Sequence, residues 1–266
     1  MCMNKKQTLL NISIFSFMFF IISCGDISTS PEPVSSSSNS NYTQLSEILD
    51  KAYQQNSQEM LDSFFMMWHG ILPAYTPQEV STFLDTIAEA YKVFIEYYSP
   101  TNLSRLTEGR HENFETDFRY VIIQNSLQIA VVDTNPLYYY YKGVNITKTY
   151  LDDFRPTITI PEYPSVYLSL PADSIIFYFL FNPDSTYKED HKARVDFLRQ
   201  AVQLTHHHWI RDYHKVTMPY AFNVILNDSL TKAIVRFRVF YQGGEAYLER
   251  RDGSWILISS KLTWIE

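Results

Sequence analysis

Four of the seven histidines lie within nine positions, at His206, His207, His208 and His214, and Asp212 lies among them. Imidazole and carboxylate side chains bind metal ions and transfer protons near neutral pH. On a strand His206 and His208 would point the same way, and a loop would allow Asp212 or His214 to complete a three-ligand or catalytic site. No metalloprotease motif accompanies them, so exposed imidazoles at a junction between a helix and a sheet are the favoured alternative. We therefore predict no metal and no cofactor, and keep His208, Asp212 and His214 as candidate catalytic residues.

Two arginines, Arg236 and Arg238, share one face of a predicted strand, and Glu245 and Tyr247 can face them across a glycine pair. Two guanidinium groups on a concave sheet face would bind an anionic ligand. Cross-strand ion pairs at a partly solvated sheet are the structural alternative. The glycine pair is predicted to be a turn or a bulge rather than a phosphate loop, because no helix follows it. These four side chains are the candidate ligand-binding residues.

The remaining motifs give little evidence of a catalytic site. Four consecutive tyrosines at 138–141 would stack on sugars or contact a protein, although a half-buried edge strand is favoured. No nucleophile elbow, phosphate-binding loop, dinucleotide motif or EF-hand loop is present. The sequence therefore favours a non-catalytic binding or interaction module whose ligand is a small molecule, a glycan or a protein. The alternative is a hydrolase or other enzyme with a site near His208, Asp212 and His214 that faces the sheet arginines.

The composition indicates a folded protein. The chain has 266 residues, of which 45% are apolar and 16% aromatic, enough for a large hydrophobic core. Only 7 residues are glycine, which excludes collagen-like or Gly-rich low-complexity structure. The formal net charge of −7 argues against electrostatic capture of nucleic acid.

The N-terminus has the features of a secretory signal. Lys5 and Lys6 precede an apolar run over 9–22, which is too short to span a bilayer as a helix. The run ends in Ile-Ile-Ser before Cys24, which resembles the site at which bacterial lipoproteins are acylated and cleaved. We therefore predict a signal peptide over 1–23, lipidation of Cys24, and a location in the bacterial cell envelope, at the outer membrane. The membrane is then a partner through the lipid anchor.

Residues 24–42 are rich in serine and proline and are predicted to be a flexible tether. Apolar residues with a period of 3.6 predict amphipathic helices over 43–71, 76–98 and 187–204. Period-2 alternation predicts a hairpin over 120–132 and an antiparallel meander from 217 onward. The predicted fold of 43–266 is α+β, with N-terminal amphipathic helices followed by a mostly antiparallel sheet that ends in a four-stranded meander packed on a helix. A finer division has a helical subdomain over 43–110 and a second subdomain over 171–266.

The alternation of the meander also predicts which side chains form its core. Phe237 and Trp255 are expected to pack against the helix that carries Phe197, Leu198, Ala201 and Val202. Arg236 and Arg238 are then expected on the opposite face of the sheet.

Several short segments of the chain have distinctive sequences. They are Asp153-Phe154-Arg155-Pro156, His208-Trp209 with Tyr213-His214, the run from Phe237 to Ala246, and the ending Thr263-Trp264-Ile265-Glu266. Together they resemble a group of uncharacterised lipoproteins from Bacteroidota. That group has no established activity, so the resemblance implies a location and a single fold rather than a chemistry.

A second resemblance lies at the C-terminus. Ala246 and Leu248, followed by Asp252-Gly253, Trp255 and Leu257, are similar to the last strands of NTF2-like cone folds. The resemblance implies an NTF2-like subdomain over 171–266. Such folds include both enzymes and ligand-binding modules, so it does not choose between the two functions.

Overall fold

The computed structural model describes residues 36–110, 118–139, 143–160, 163–181, 188–206 and 213–265. The predicted signal peptide, Cys24, His208 and Asp212 lie outside these residues. Residues from Ser36 onward form one compact unit. None of the helices within the described ranges is long and apolar enough to cross a membrane.

Seven α-helices and ten strands are present in the described parts of the chain. The helices are α1 (Ser36–Gln54), α2 (Gln58–Ile71), α3 (Pro77–Ser81), α4 (Asp85–Tyr97), α5 (Ser104–Thr107), α6 (Leu170–Leu180) and α7 (Lys188–Arg199). The strands are β1 (Val121–Gln124), β2 (Leu127–Val132), β3 (Ile146–Leu151), β4 (Ser165–Leu168), β5 (Thr205–His206), β6 (Tyr213–His214), β7 (Tyr220–Asn227), β8 (Lys232–Val239), β9 (Gln242–Arg251) and β10 (Ser254–Ile265). The predicted α+β class is confirmed, with helices first and a strand meander at the end.

Local sequence explains where the helices begin and end. Thr76 caps α3 and Glu79 bonds back to it, which is the capping box that the sequence indicates. The predicted helix over 76–98 is divided, because Thr82 caps the C-terminus of α3 and a new helix starts at Asp85. Helix α1 begins at Ser36, so residues 36–42, predicted as part of the tether, are helical.

The main sheet has six strands in the order β10-β9-β8-β7-β2-β3. Its pairings are antiparallel except for β2 and β7, which are parallel. The predicted hairpin of β1 and β2 does not form, since β1 pairs instead with β4. The side-chain amide of Gln124 holds β1 beside β7, because it donates to the carbonyl of Ala221 at 2.9 Å and accepts from its N–H at 2.7 Å.

One face of the sheet packs on α4, not on α7. Phe94 and Tyr97 of α4 share a buried core with Phe237 and Trp255. The predicted packing of the helix with Phe197, Leu198, Ala201 and Val202 against the sheet is therefore wrong: these residues form a second core with α1, α2 and α6. Both helices have an apolar stripe, and that local pattern does not specify the partner of each stripe.

The opposite face of the sheet carries the arginines, as the alternation predicts. Phe237 and Val239 are fully buried on the side of α4, whereas Arg236 and Arg238, which alternate with them along β8, are partly exposed. A small apolar cluster on this second face contains Ile225 and Ile234. The sheet thus separates a large core from a more polar surface.

A buried carboxylate joins α4 to the meander. Glu89 is 6% exposed and accepts a hydrogen bond from Nε1 of Trp255 at 2.7 Å and from Lys92 at 2.8 Å. Burial disfavours the charged form, but these hydrogen bonds and the charges of Lys92 and Arg250 outweigh it, so the pKa of Glu89 is lower than usual.

This lowered pKa predicts a loss of stability in acid. The bonded carboxylate stabilises the fold fully above the unfolded-state pKa, about 4.3 for glutamate, and this contribution is lost as the pH falls through the lower folded pKa. Urea denaturation between about pH 6 and pH 3 should therefore show a smaller acid-induced loss of stability in Glu89→Gln than in the wild type. Glu59→Gln, at an exposed position on α2, is the matched control and should follow the wild type. Identical acid profiles for Glu89→Gln and the wild type would contradict the argument.

Candidate ligand-binding cleft

A polar cleft lies where β4 and the first turn of α6 meet β7 and the end of β8. It has two adjoining lobes with volumes of about 360 and 500 Å³. Both lobes are lined by Leu168, Asp173, Val216 and Tyr220. The smaller lobe also contains His214, Lys215, Phe222 and Arg238, which makes it the basic part of the cleft.

The guanidinium group of Arg238 lies against a pair of aromatic rings that also contact each other. Its guanidinium carbon lies 5.5 Å from the ring centroid of Phe222 and 5.5 Å from that of Trp264. The close approach of Trp264 requires glycine at 243, because a Cβ atom there would overlap the indole ring. A guanidinium group held in this way loses little freedom when it binds an anion.

His214 lies directly beside this guanidinium group. Its Nε2 atom is 3.2 Å from Nη1 of Arg238. Because a guanidinium group only donates hydrogen bonds, Nε2 is the acceptor and the proton of the neutral imidazole lies on Nδ1. The nitrogen that would serve as a general base is therefore occupied in this arrangement.

Lys215 supplies a second cation to the smaller lobe. It is only 7% exposed, and its Nζ atom lies 2.7 Å from a carboxylate oxygen of Asp173. Asp173 is in the first turn of α6, where the helix dipole favours a negative charge. Nζ also lies 5.5 Å from the ring centroid of Phe177. Among the described residues that line this lobe, Arg238 and Lys215 are the cations and Asp173 is the carboxylate.

The larger lobe combines hydrogen-bonding groups with apolar side chains, among them Leu168 and Leu170. Gln124, Asn125, Ser126 and the exposed carboxylate of Asp152 line it. Asn125 donates to the carbonyl of Phe154 at 3.2 Å, which fixes its side-chain amide. A ligand anchored in the basic lobe would meet hydroxyl, amide and carboxylate groups here.

The structure brings together only part of the predicted site. His214 and Arg238 are in contact, as the enzyme alternative requires, while its other two candidates lie outside the described residues. Within the described ranges, no three His, Cys, Asp or Glu side chains are placed to hold a metal ion. His206 packs edge-on against Tyr213, with centroids 5.3 Å apart.

The other three ligand-binding candidates do not line the cleft. Arg236 and Glu245 are cross-strand neighbours in β8 and β9. Tyr247 donates a hydrogen bond to Glu249 at 2.9 Å. Burial, this hydrogen bond and the carboxylate charge raise the pKa of Tyr247 to about 12. Glu245 lies 3.8 Å from Nζ of Lys261, and Tyr247 packs against the small apolar cluster of Ile225 and Ile234, so both contact neighbours on the sheet face.

Sequence reasoning missed Lys215, Asp173, Phe222 and Trp264. No spacing links residues so far apart in the chain, and only the tertiary fold places them around Arg238. The one signal in the sequence was the presence of both Trp264 and the glycine pair at 243–244, because glycine in a strand leaves room for a large side chain on a neighbouring strand. Comparisons of the chain with protein-family models, curated proteins and solved structures found no match.

Proposed function

We propose that the folded part of the chain is a non-catalytic binding module that holds a small anionic molecule in this cleft. The observation that carries the proposal is the guanidinium group of Arg238, packed against the neighbouring rings of Phe222 and Trp264 at the wall of the basic lobe. The two lobes have volumes typical of small-molecule sites.

The chemistry of the lobe favours a carboxylate or phosphate group. Arginine binds both in a bidentate manner, and charge-assisted hydrogen bonds are about twice as strong as neutral ones. The ammonium group of Lys215 adds a second positive charge, while the rings of Tyr220 and Phe222 offer apolar surface to the rest of the ligand. The larger lobe, with hydrogen-bonding groups beside apolar side chains, suits a molecule that presents both hydroxyl groups and C–H surface, such as an acidic sugar.

The contact between His214 and Arg238 supports binding over catalysis. A general base needs an unoccupied acceptor nitrogen within reach of its substrate. Here Nε2 of His214 already accepts from Arg238. Histidine in this role orients the guanidinium group rather than removing a proton.

Replacing Arg238 tests the proposal. We expect the wild type to bind glucuronate and inorganic phosphate in isothermal titration calorimetry. Arg238→Ala should lower the affinity about 10–100-fold, because a hydrogen bond to a charged group contributes about 1.5–3 kcal/mol. Arg236→Ala is the matched control, since it removes the same charge from the same strand and face outside the cleft. An equal loss in both variants, or a wild type that binds neither anion, would refute the proposed site.

We further propose that this module is anchored by lipid at Cys24 in the bacterial cell envelope, at the outer membrane. The basic residues, the apolar run and the cysteine after Ile-Ile-Ser support this proposal, as does the resemblance to lipoproteins from Bacteroidota. The similarity of the C-terminus to NTF2-like folds belongs to the same proposal, and a helix packed on one face of β7–β10 is compatible with it.

Replacing Cys24 tests the anchor. Cys24→Ser should incorporate no radiolabelled palmitate and should be released from the membrane fraction, because the acylated thiol is absent. Cys2→Ser is the matched control, since that cysteine lies in the predicted signal peptide, and its labelling should equal that of the wild type. Palmitate incorporated equally into Cys24→Ser and the wild type would exclude lipidation at this position.

A further inference from the structure

Helix α6 is apolar on two opposite faces. Its inner face is buried in the second core through Ala172, Ile176, Phe179 and Leu180. Its outer face exposes Leu170 (85%), Phe177 (42%) and Tyr178 (64%). At 100° per residue these three side chains lie within one stripe, with the exposed Ser174 among them. Helices that are apolar on both faces are usually buried or in contact with lipid, so the outer face of α6 is suited to a partner.

The start of α6 lies beside the start of α1. The hydroxyl of Tyr42 in α1 is 3.3 Å from Oγ of Ser169, the residue before α6. Tyr42 follows Ser36 by six residues, about 9 Å along a helix. The start of α6 is therefore close to the point at which the folded unit begins.

The length of chain before α1 limits how far this region can lie from a lipid anchor. Eleven residues, 25–35, lie between Cys24 and Ser36, and a flexible chain of that length would have a root-mean-square span of about 17–20 Å. A domain of this size has a radius of gyration of about 17 Å. The average span of the tether is similar to this radius, so in an anchored chain the start of α6 would be within reach of the bilayer surface.

From these observations we propose that the outer face of α6 rests on the surface of the bilayer to which the chain is anchored. This inference depends on the proposed lipidation of Cys24. Phe177 would enter the boundary between headgroups and acyl chains, and the hydroxyl of Tyr178 would remain among the headgroups. Leu170, which also lines the larger lobe, would lie at the edge of this contact, so the cleft would open beside the bilayer. Because α6 contains no Lys or Arg and one Asp, the contact is apolar and should form on neutral lipid and persist at high salt.

The experiment uses the full-length lipidated protein in phosphatidylcholine vesicles, in a Cys2→Ser background. Ser174→Cys then provides the one free thiol, which is labelled with a polarity-sensitive fluorophore. Ser81→Cys, exposed in α3, is the matched control for a label away from α6. Flotation of the vesicles reports the anchor, and quenching by spin-labelled lipid reports the contact of each label with the bilayer.

We expect vesicles to carry both labelled proteins, and lipid quenching at position 174 to be several-fold stronger than at position 81. Adding Phe177→Ser and Tyr178→Ser should reduce quenching at 174 to the level of position 81 while flotation is retained.

Loss of flotation in the parent protein would refute the anchor. Flotation with equal, weak quenching at both positions would refute the α6 contact alone. Protection of the label at 174 in detergent, rising with protein concentration, would identify a second copy as the partner and also overturn the proposal.

Discussion

Trp255→Ala should lower the free energy of unfolding by about 3–5 kcal/mol, a large share of the typical total of 5–15 kcal/mol. Trp255 is 5% exposed and belongs to the core between the meander and α4. Its removal leaves a large cavity and also removes the donor at 2.7 Å from the buried carboxylate of Glu89. Phe237→Ala, which truncates a fully buried ring in the same core, should have a similar effect.

Urea denaturation followed by circular dichroism measures these changes. Trp255→Phe should lie between the wild type and Trp255→Ala, because it retains most of the ring but lacks the N–H group. Arg236→Ala, on the partly solvated face, should cost about 1 kcal/mol or less. Greater destabilisation by Arg236→Ala than by Trp255→Ala would mean that the assignment of the two sheet faces is incorrect.

Gly244→Ala is expected to have the second-largest effect, a destabilisation of about 1–3 kcal/mol or more. A Cβ atom at 244 would lie 2.5 Å from the carbonyl oxygen of Lys261 and 2.5 Å from the ring of Phe237. The carbonyl belongs to β10, which pairs with β9 at this point, so it can retreat only if the strands separate. The substitution therefore disturbs both the strand pairing and the core.

Gly70→Ala is the matched control for Gly244→Ala. A Cβ atom at 70 would meet nothing within 4 Å, and the residue lies near the end of α2. Alanine is favoured over glycine in a helix by about 0.5–1 kcal/mol, so this variant should be neutral or more stable. Thermal unfolding of both variants checks the contrast, and an unchanged melting temperature for Gly244→Ala would contradict the predicted clash.

Several features of the fold follow from short segments of sequence. The Thr-Pro-Gln-Glu segment forms the capping box of α3, and Asp252 and Gly253 form a turn with positive φ angles of 51° and 83°. Alternation in β8 places Phe237 in the core and Arg238 on the other face. These features are predictable because hydrogen bonds and side-chain direction over a few residues determine them.

The tertiary structure decided which elements are partners. Helix α4 rather than α7 packs on the sheet, and β1 joins β4 although β2 follows it closely. An apolar stripe indicates that a helix must pack on another element, and an extended segment indicates that a strand must pair with another strand. Neither pattern specifies which element is the partner. That choice depends on contacts such as those of Gln124 with Ala221, which are distant in sequence.

The candidate site also depends partly on local sequence and partly on the tertiary fold. The sequence alone singled out His214 and Arg238 as polar residues whose chemistry suited a ligand, but it also grouped Arg238 with Arg236, Glu245 and Tyr247, which lie outside the cleft. Only the fold places Phe222 and Trp264 beside Arg238 and brings the Lys215–Asp173 pair to the same lobe. Residue type determines what a side chain can bind. Its neighbours, and hence the charge and shape of the site, depend on long-range packing that no local pattern encodes.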